Sequence, residues 1–262
     1  MATLEKSPLI FPLGDSAITI DLGNHIDEQL NRKAVAIQYE LLALNLPGVR
    51  DIIAAYSSVS VFYDPQRVIA GNSPCPDGAF ACMKKIVEEA YASVFPGQND
   101  TSSESGNSTS PESGNIIRLP VCYDLEYAPD QNLLSQEKGM PREDVIRLHT
   151  SSVYRVYMIG FLPGFPYLGK VDPALQIARK QRPVPVAAGG VGIAGNQTGI
   201  YPLNSPGGWQ IIGRTPLKLF DPYATVPVKL KVGDRVQFFS ITKEEFEELA
   251  ASYKLQAASG HR

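Results

Sequence analysis

His149 is the residue best placed for acid–base chemistry in this chain. It closes the segment EDVIRLHTS, where the negative end of a helix dipole favours a charged imidazole. His25 sits near a turn and His261 lies in the C-terminal tail. Two glycine-rich segments further along carry the other candidates. GFLPGFPYLG, residues 160–169, carries Phe161, Phe165 and Tyr167 on a Pro/Gly-rich loop, the kind of segment on which binding residues gather. GNQTGIYPLNSPGGWQIIGRTP, residues 195–216, crowds Gln197, Thr198, Tyr201, Asn204, Ser205, Trp209 and Arg214 among glycines that allow backbone N–H groups close to a ligand. From these we take His149 as the catalytic candidate and Phe165, Gln197, Thr198, Tyr201, Ser205, Trp209 and Arg214 as substrate-binding candidates. Arg214 offers a planar fork to a carboxylate or phosphate, or braces the loops through their carbonyls. Trp209, the single tryptophan, fits a binding face or core packing.

Other chemistries fail on context. Gly190, Gly192 and Gly195 spell G-x-G-x-x-G, but the dinucleotide motif needs a helix next, and NQTGIYPLNSPGGW has no helical period. Gly169-Lys170 lacks the spaced glycines and hydroxyl of a P-loop, and the S-x-x-K at Ser135 has none of its companion motifs. Three cysteines and three histidines, scattered and without C-x-x-C, leave no metal site. The odd cysteine count argues against a disulfide framework. A net charge of −3 gives no footprint for nucleic acid. No run of 18 apolar residues marks a membrane span, and the start has no apolar core of signal-peptide length, so a cytoplasmic protein is expected.

The elements that must position these residues fall into two units. GQNDTSSESGNSTSPESGN, residues 97–115, has nothing to bury and reads as a flexible Ser/Gly-rich linker. Before it, residues 1–96 read as an α+β domain of order β-β-α-β-β-α. Leu30, Ala34, Ile37, Leu41 and Leu44 give the stripe of its first helix, and Met83, Ile86, Val87, Ala90 and Val94 that of its second. After it, residues 116–262 read as a mainly-β barrel or sandwich of short strands broken by Gly and Pro. Two short helices sit near its start, and a last one opens on the capping box Thr242/Glu245. The segments 160–169 and 189–215 are expected as loops converging near the barrel mouth. There Arg214, Gln197, Tyr201, Ser205 and Phe165 would share one pocket that meets a partner.

Several long blocks resemble the family of allophanate hydrolase subunit 1, KipI and the 5-oxoprolinase B component. They are EDVIRLHTSSVYRVYMIGFLPGFPYLG, VGIAGNQTGIYPLNSPGGWQIIGRTPLKLFDP, VGDRVQFFSI, LGDSAITI and VRDIIAAYSSVSVFYDP. Tyr123-Asp124-Leu125-Glu126-Tyr127 departs from the family pattern, which has a glycine pair after the tyrosine. The resemblance implies an α+β N-terminal domain followed by a cyclophilin-like barrel. It implies the B component of an ATP-dependent 5-oxoprolinase, working with C-type and A-type subunits to open 5-oxoproline to glutamate. ATP would be bound by a partner or at a shared interface. The other branch of the family implies a regulatory protein that inhibits a sensor histidine kinase.

Overall fold

The computed structural model describes residues 7–71, 75–95 and 115–259, with side chains described to residue 253. The linker expectation at 97–115 therefore falls, up to residue 114, outside the described residues. The chain divides into two compact units, Met1–Glu112 and Ser113–Arg262.

Unit 1 runs β1 (Leu9–Pro12), β2 (Ala17–Asp21), α1 (Glu28–Ala43), β3 (Val49–Ala54), β4 (Ser58–Tyr63), α2 (Pro65–Gly71) and α3 (Gly78–Val94). Its antiparallel sheet has the order β1-β2-β4-β3. Asp27 starts α1 by accepting the Leu30 N–H at 3.0 Å, which satisfies one of the helix's orphan donors. The helical stripe then buries Ala34, Ile37 and Leu41 against the sheet, while Leu44 falls past the end of α1 and stays exposed. Alternation along the strands sends Ile18, Ile20, Val59, Val61 and Tyr63 to the same core. Helix α2 is an addition to the order expected from the sequence. Contrary to the cysteine-count argument, Cys75 and Cys82 pair at the start of α3, with Cα atoms 5.5 Å apart. The odd total reflects only that Cys122 is free and buried in unit 2.

Unit 2 carries β5 (Ile117–Cys122), α4 (Gln131–Lys138), α5 (Arg142–Ser151), β6 (Val153–Ile159), β7 (Pro166–Gly169), β8 (Val184–Val186), β9 (Gly190–Ala194), β10 (Gln197–Ile200), β11 (Ser205–Gly207), β12 (Gln210–Arg214), β13 (Arg235–Ile241) and α6 (Lys243–Ser259). Seven of these strands close a barrel, β10-β7-β6-β13-β5-β12-β9, and β8 pairs with β11 beside it. An α+β unit followed by a mainly-β barrel is thus the observed architecture. The barrel interior is filled by alternate residues, among them Leu119, Val121, Val156, Leu168, Val191, Ile193, Ile200, Ile212 and Val236. The capping box forms as read: the Thr242 N–H donates to Glu245 Oε2 at 2.8 Å, and the Glu245 N–H donates to Thr242 Oγ1 at 3.2 Å.

The segments expected as loops are largely strand. β7 occupies the end of 160–169, and β9, β10, β11 and β12 occupy most of 189–215. PLKLF and PVKL form no named strand and meet through the isolated bridge between Phe220 and Val228.

Candidate functional site

Strand alternation sorts the candidate residues into three neighbourhoods. Along β10, Thr198 and Ile200 point into the barrel, while Gln197 and Gly199 point out. His149, from the last turn of α5, joins Thr198 on the inside and is fully buried.

The inner network has one consistent protonation. The Thr198 hydroxyl donates its only proton to the Gly192 carbonyl at 3.0 Å. It must therefore accept from His149 Nε2–H, 2.9 Å away. Nδ1 is then the acceptor for the Tyr123 hydroxyl at 2.7 Å. The imidazole stacks on Phe238 with centroids 4.7 Å apart and planes 12° from parallel, and Tyr154 Oη donates to the His149 carbonyl at 2.9 Å. Burial pushes the His149 pKa down to about 3, and it drives the Tyr123 hydroxyl well up. A neutral, doubly bonded, sealed imidazole fixes the interior of the barrel. The helix-end argument for a charged, proton-exchanging His149 loses here to desolvation, which dominates when no counter-charge is at hand.

On the outer face of the same strands lies an aromatic cluster. Phe165, Tyr201 and Trp209 lie together in it, with Phe165 at 5.1 Å from Tyr201 and 5.4 Å from Trp209, both edge to face. Tyr167 joins at 4.8 Å from Phe165. Glycines form its floor. A Cβ on Gly199 would stand 3.0 Å from both Phe165 and Trp209, and one on Gly192 would stand 3.0 Å from Trp209 Cβ. Gln197, half-buried, faces outward on β10, and Ser205 sits opposite Val186, a member of the cluster. The buried Ser205 hydroxyl has no hydrogen-bond partner.

Phe161 caps this cluster from solvent. It is 63% exposed, lies 5.7 Å from Phe165 and 6.4 Å from Tyr201, and holds φ at +68°, a region that a bulky residue rarely adopts. Arg179 is the cation felt by both tyrosines. Burial raises the Tyr167 and Tyr201 hydroxyls, and the Arg179 charge opposes that rise. Arg179 was not among the sequence candidates; the signal for it was the cationic run Arg179-Lys180-Gln181-Arg182. Beside it, Lys180 forms a half-buried ion pair with Asp130, whose Oδ2 also accepts the Ile211 N–H at 2.6 Å.

Arg214 stands apart from both groups. Its Nε donates to the Ala188 carbonyl at 2.8 Å, and its guanidinium lies 6.0 Å from the Tyr127 ring and 5.9 Å from that of Phe246. Of the two roles open to it in the sequence, this geometry is the brace. The G-x-G-x-x-G run lies in β9 and the turn into β10, so no helix N-terminus follows to hold a phosphate. Among the described residues no group of three or more His, Cys, Asp or Glu could hold a metal, and no helix is long and apolar enough to cross a membrane.

Comparison with known proteins assigns this architecture. The profile of the carboxyltransferase domain, subdomain C and D, matches residues 8–230. The chain is 38% identical over 235 residues to the 5-oxoprolinase B component of Bacillus subtilis (strain 168), covering 89% of this chain and 93% of that one. It is 45% identical over 136 residues to the 5-oxoprolinase B component of Escherichia coli O157:H7, covering 52% and 62%. Among solved structures, that of TTHA0988 is 33% identical with a TM-score of 0.69. It covers 86% of this chain, which spans only 40% of that one. K. lactis urea amidolyase shares the fold at a TM-score of 0.67 and 18% identity, with 94% of this chain and 16% of that one covered. The chain belongs to the carboxyltransferase-domain family of subdomains C and D, in which it stands beside the B component of 5-oxoprolinase.

Proposed function

We propose that this chain is the B component of an ATP-dependent 5-oxoprolinase-like complex, which opens 5-oxoproline to glutamate together with C-type and A-type subunits. The observation that carries the reading is identity to a 5-oxoprolinase B component along 93% of that protein's length, through both units rather than in one shared module.

The chemistry explains why one chain would not suffice. A lactam is a resonance-stabilised amide; transfer of the γ-phosphoryl group of ATP to its oxygen would remove that resonance and open the carbon to water. The ring C–N bond then breaks with nitrogen leaving as the amine, and hydrolysis of the acyl phosphate gives glutamate and phosphate. The one glycine motif is strand and turn, with Gly190 and Gly192 packed under Val186, Trp209 and Ile211, so it forms no phosphate loop. ATP would then be bound by a partner subunit or at a shared interface. This chain contributes the outer aromatic face, where the exposed Phe161 ring, seated on the buried Phe165 and Tyr201, offers an apolar wall for the lactam ring. Gln197 and Arg179 offer N–H donors for its carboxylate, which is the recognition a small anionic ring requires.

The test is reconstitution. The chain mixed with C-type and A-type subunits, ATP and 5-oxoproline should release glutamate, and omission of the chain or of ATP should abolish release. Undiminished turnover without this chain, or turnover by this chain alone, would overturn the reading. Within the active complex, Arg179→Gln should raise KM for 5-oxoproline about tenfold with the fold intact, as loss of one charge-assisted contact predicts.

A further inference from the structure

Unit 1 turns the second face of its sheet away from α1 and α3. The register places Phe11, Thr19 and Ser60 in one cross-strand row on this face, and Leu9, Asp21 and Ser58 in the next. Where β2 leaves the sheet and β3 turns into β4, a cavity of about 310 Å³ opens, lined among others by Phe11, Asp21, His25, Ile26, Ser57 and Ser58.

Its polar groups are unusually unengaged by the protein. Asp21 Oδ1 accepts the N–H groups of Gly23 at 2.9 Å and Asn24 at 3.0 Å, which fixes the turn, while Oδ2 has no protein partner among the described residues. His25 Nδ1 lies 2.7 Å from the Gly23 carbonyl. A carbonyl only accepts, so Nδ1 carries the proton, and Nε2 of the neutral ring is a bare acceptor. Ser57, only 4% exposed, and Ser58 carry hydroxyls with no protein partner among the described residues. No lysine or arginine lines the cavity. Asp21 and His25 thus turn open acceptors, and Ser57 and Ser58 open hydroxyls, onto one concave site, a set that a small polar molecule would complete.

The chemistry of that molecule follows from what is missing. A carboxylate oxygen and an imidazole lone pair both demand N–H donors, the two hydroxyls accept or donate, and Phe11 and Ile26 cover carbon. We propose that this cavity is a binding site for a small primary ammonium compound. Its –NH₃⁺ would bridge Asp21 and His25, with a hydroxyl or carbonyl arm on Ser57 and Ser58. The site lies in unit 1 and stands or falls independently of the 5-oxoprolinase reading, because its test measures binding rather than turnover.

Ethanolamine is the probe, titrated into the full chain carrying ¹⁵N-labelled histidine at pH 8, above the ordinary histidine range. The His25 signal, assigned by its loss in His25→Gln, should shift saturably. Choline has the same arm and charge but no N–H, and should bind at least about tenfold more weakly. Acetate should not bind. Asp21→Asn keeps an oxygen for the turn and should weaken ethanolamine about tenfold, and Ser57→Ala should weaken it severalfold. An absent or unsaturable shift, equal binding of choline, or unchanged affinity in Asp21→Asn would overturn the proposal. If Asp21→Asn loses its circular dichroism signal, Ser57→Ala and the choline comparison decide the matter in the same way.

Discussion

Replacing His149 by glutamine tests the sealed barrel network directly. In the unfolded chain this imidazole titrates near its ordinary value of about 6.5, whereas burial holds it down to about 3 in the native state. Between those values the unfolded state binds a proton that the native state refuses. Stability is therefore intact above pH 6.5 and is lost as pH falls through the window toward 3. Each pH unit is worth about 1.4 kcal/mol, so roughly 2 kcal/mol disappears between pH 6.5 and 5. His149→Gln removes the titration. It also leaves Tyr123 or Thr198 short of one partner, at a loss of about 1–3 kcal/mol near pH 7.5. Trp209, the only tryptophan, is buried in unit 2, so its fluorescence in urea follows that unit's unfolding. The wild-type advantage over the variant should shrink by about 2 kcal/mol from pH 7.5 to pH 5. A gap constant to within about 0.5 kcal/mol would refute the neutral, sealed imidazole. Activity gives a second reading in the reconstituted complex. A positioning His149 predicts turnover that follows the folded fraction, whereas loss of a general acid or base would lower it by about 10²–10⁴.

Other expectations follow from the same geometry. Arg214→Ala should lower the barrel's stability by about 1–3 kcal/mol and its Tm with it, measured by Trp209 fluorescence, because a bond to Ala188 and two ring contacts vanish; an unchanged melt with lost activity would return Arg214 to substrate binding. Gly199→Ala should destabilise by about 1–3 kcal/mol and alter the near-ultraviolet dichroism of the aromatic cluster, since its Cβ would press on Phe165, Trp209 and the Pro166 carbonyl; a neutral result would show the cluster to be loosely packed. Asp130→Ala frees the Ile211 N–H and leaves Lys180 only the Trp209 carbonyl at 3.0 Å, and should lower stability in urea by about 1–3 kcal/mol; a loss under about 0.5 kcal/mol would show the contacts to be weak.

The fold was legible wherever periodicity was strong. Residues 30–41 show a helical stripe because one side of α1 must meet a sheet, and RVQFFSI alternates because β13 lies between two strands of a barrel wall. The glycine-rich stretches were harder. GFPYLG and GIYPLNSPGGW look like loops because glycine and proline weaken strands, yet β7, β10 and β11 accept parts of them. Ring closure supplies the hydrogen bonds, and the aromatic cluster needs the missing side chains. The candidate site was legible by residue type but not by face. Spacing along β10 alone could have separated Thr198 from Gln197, but only once that segment was known to be a strand rather than a loop. The disulfide was invisible because counting cysteines says nothing about which two meet.

The division of β10 into two faces also explains why its neighbourhood mimics so many motifs. Thr198 faces inward and ties His149 and Tyr123 into a sealed network, whose groups have their bonding capacity filled by protein. Gly190 and Gly192 are small because Val186, Trp209 and Ile211 press on them, and Gly195 holds φ at +60° in the turn into β10, which accounts for the glycine spacing without any phosphate. Phe161 differs from these: it is an exposed aromatic side chain on a backbone of positive φ, held by the Leu162 N–H bond to the Gly160 carbonyl at 2.9 Å and by edge contacts to Phe165 and Tyr201, in the neighbourhood of the Arg179 charge. Strain persists where the surrounding structure over-determines it, and such positions concentrate at ligand clamps. On that argument we propose that this chain meets its ligand on the outer face around Phe161, with the histidine inside the barrel in a positioning role.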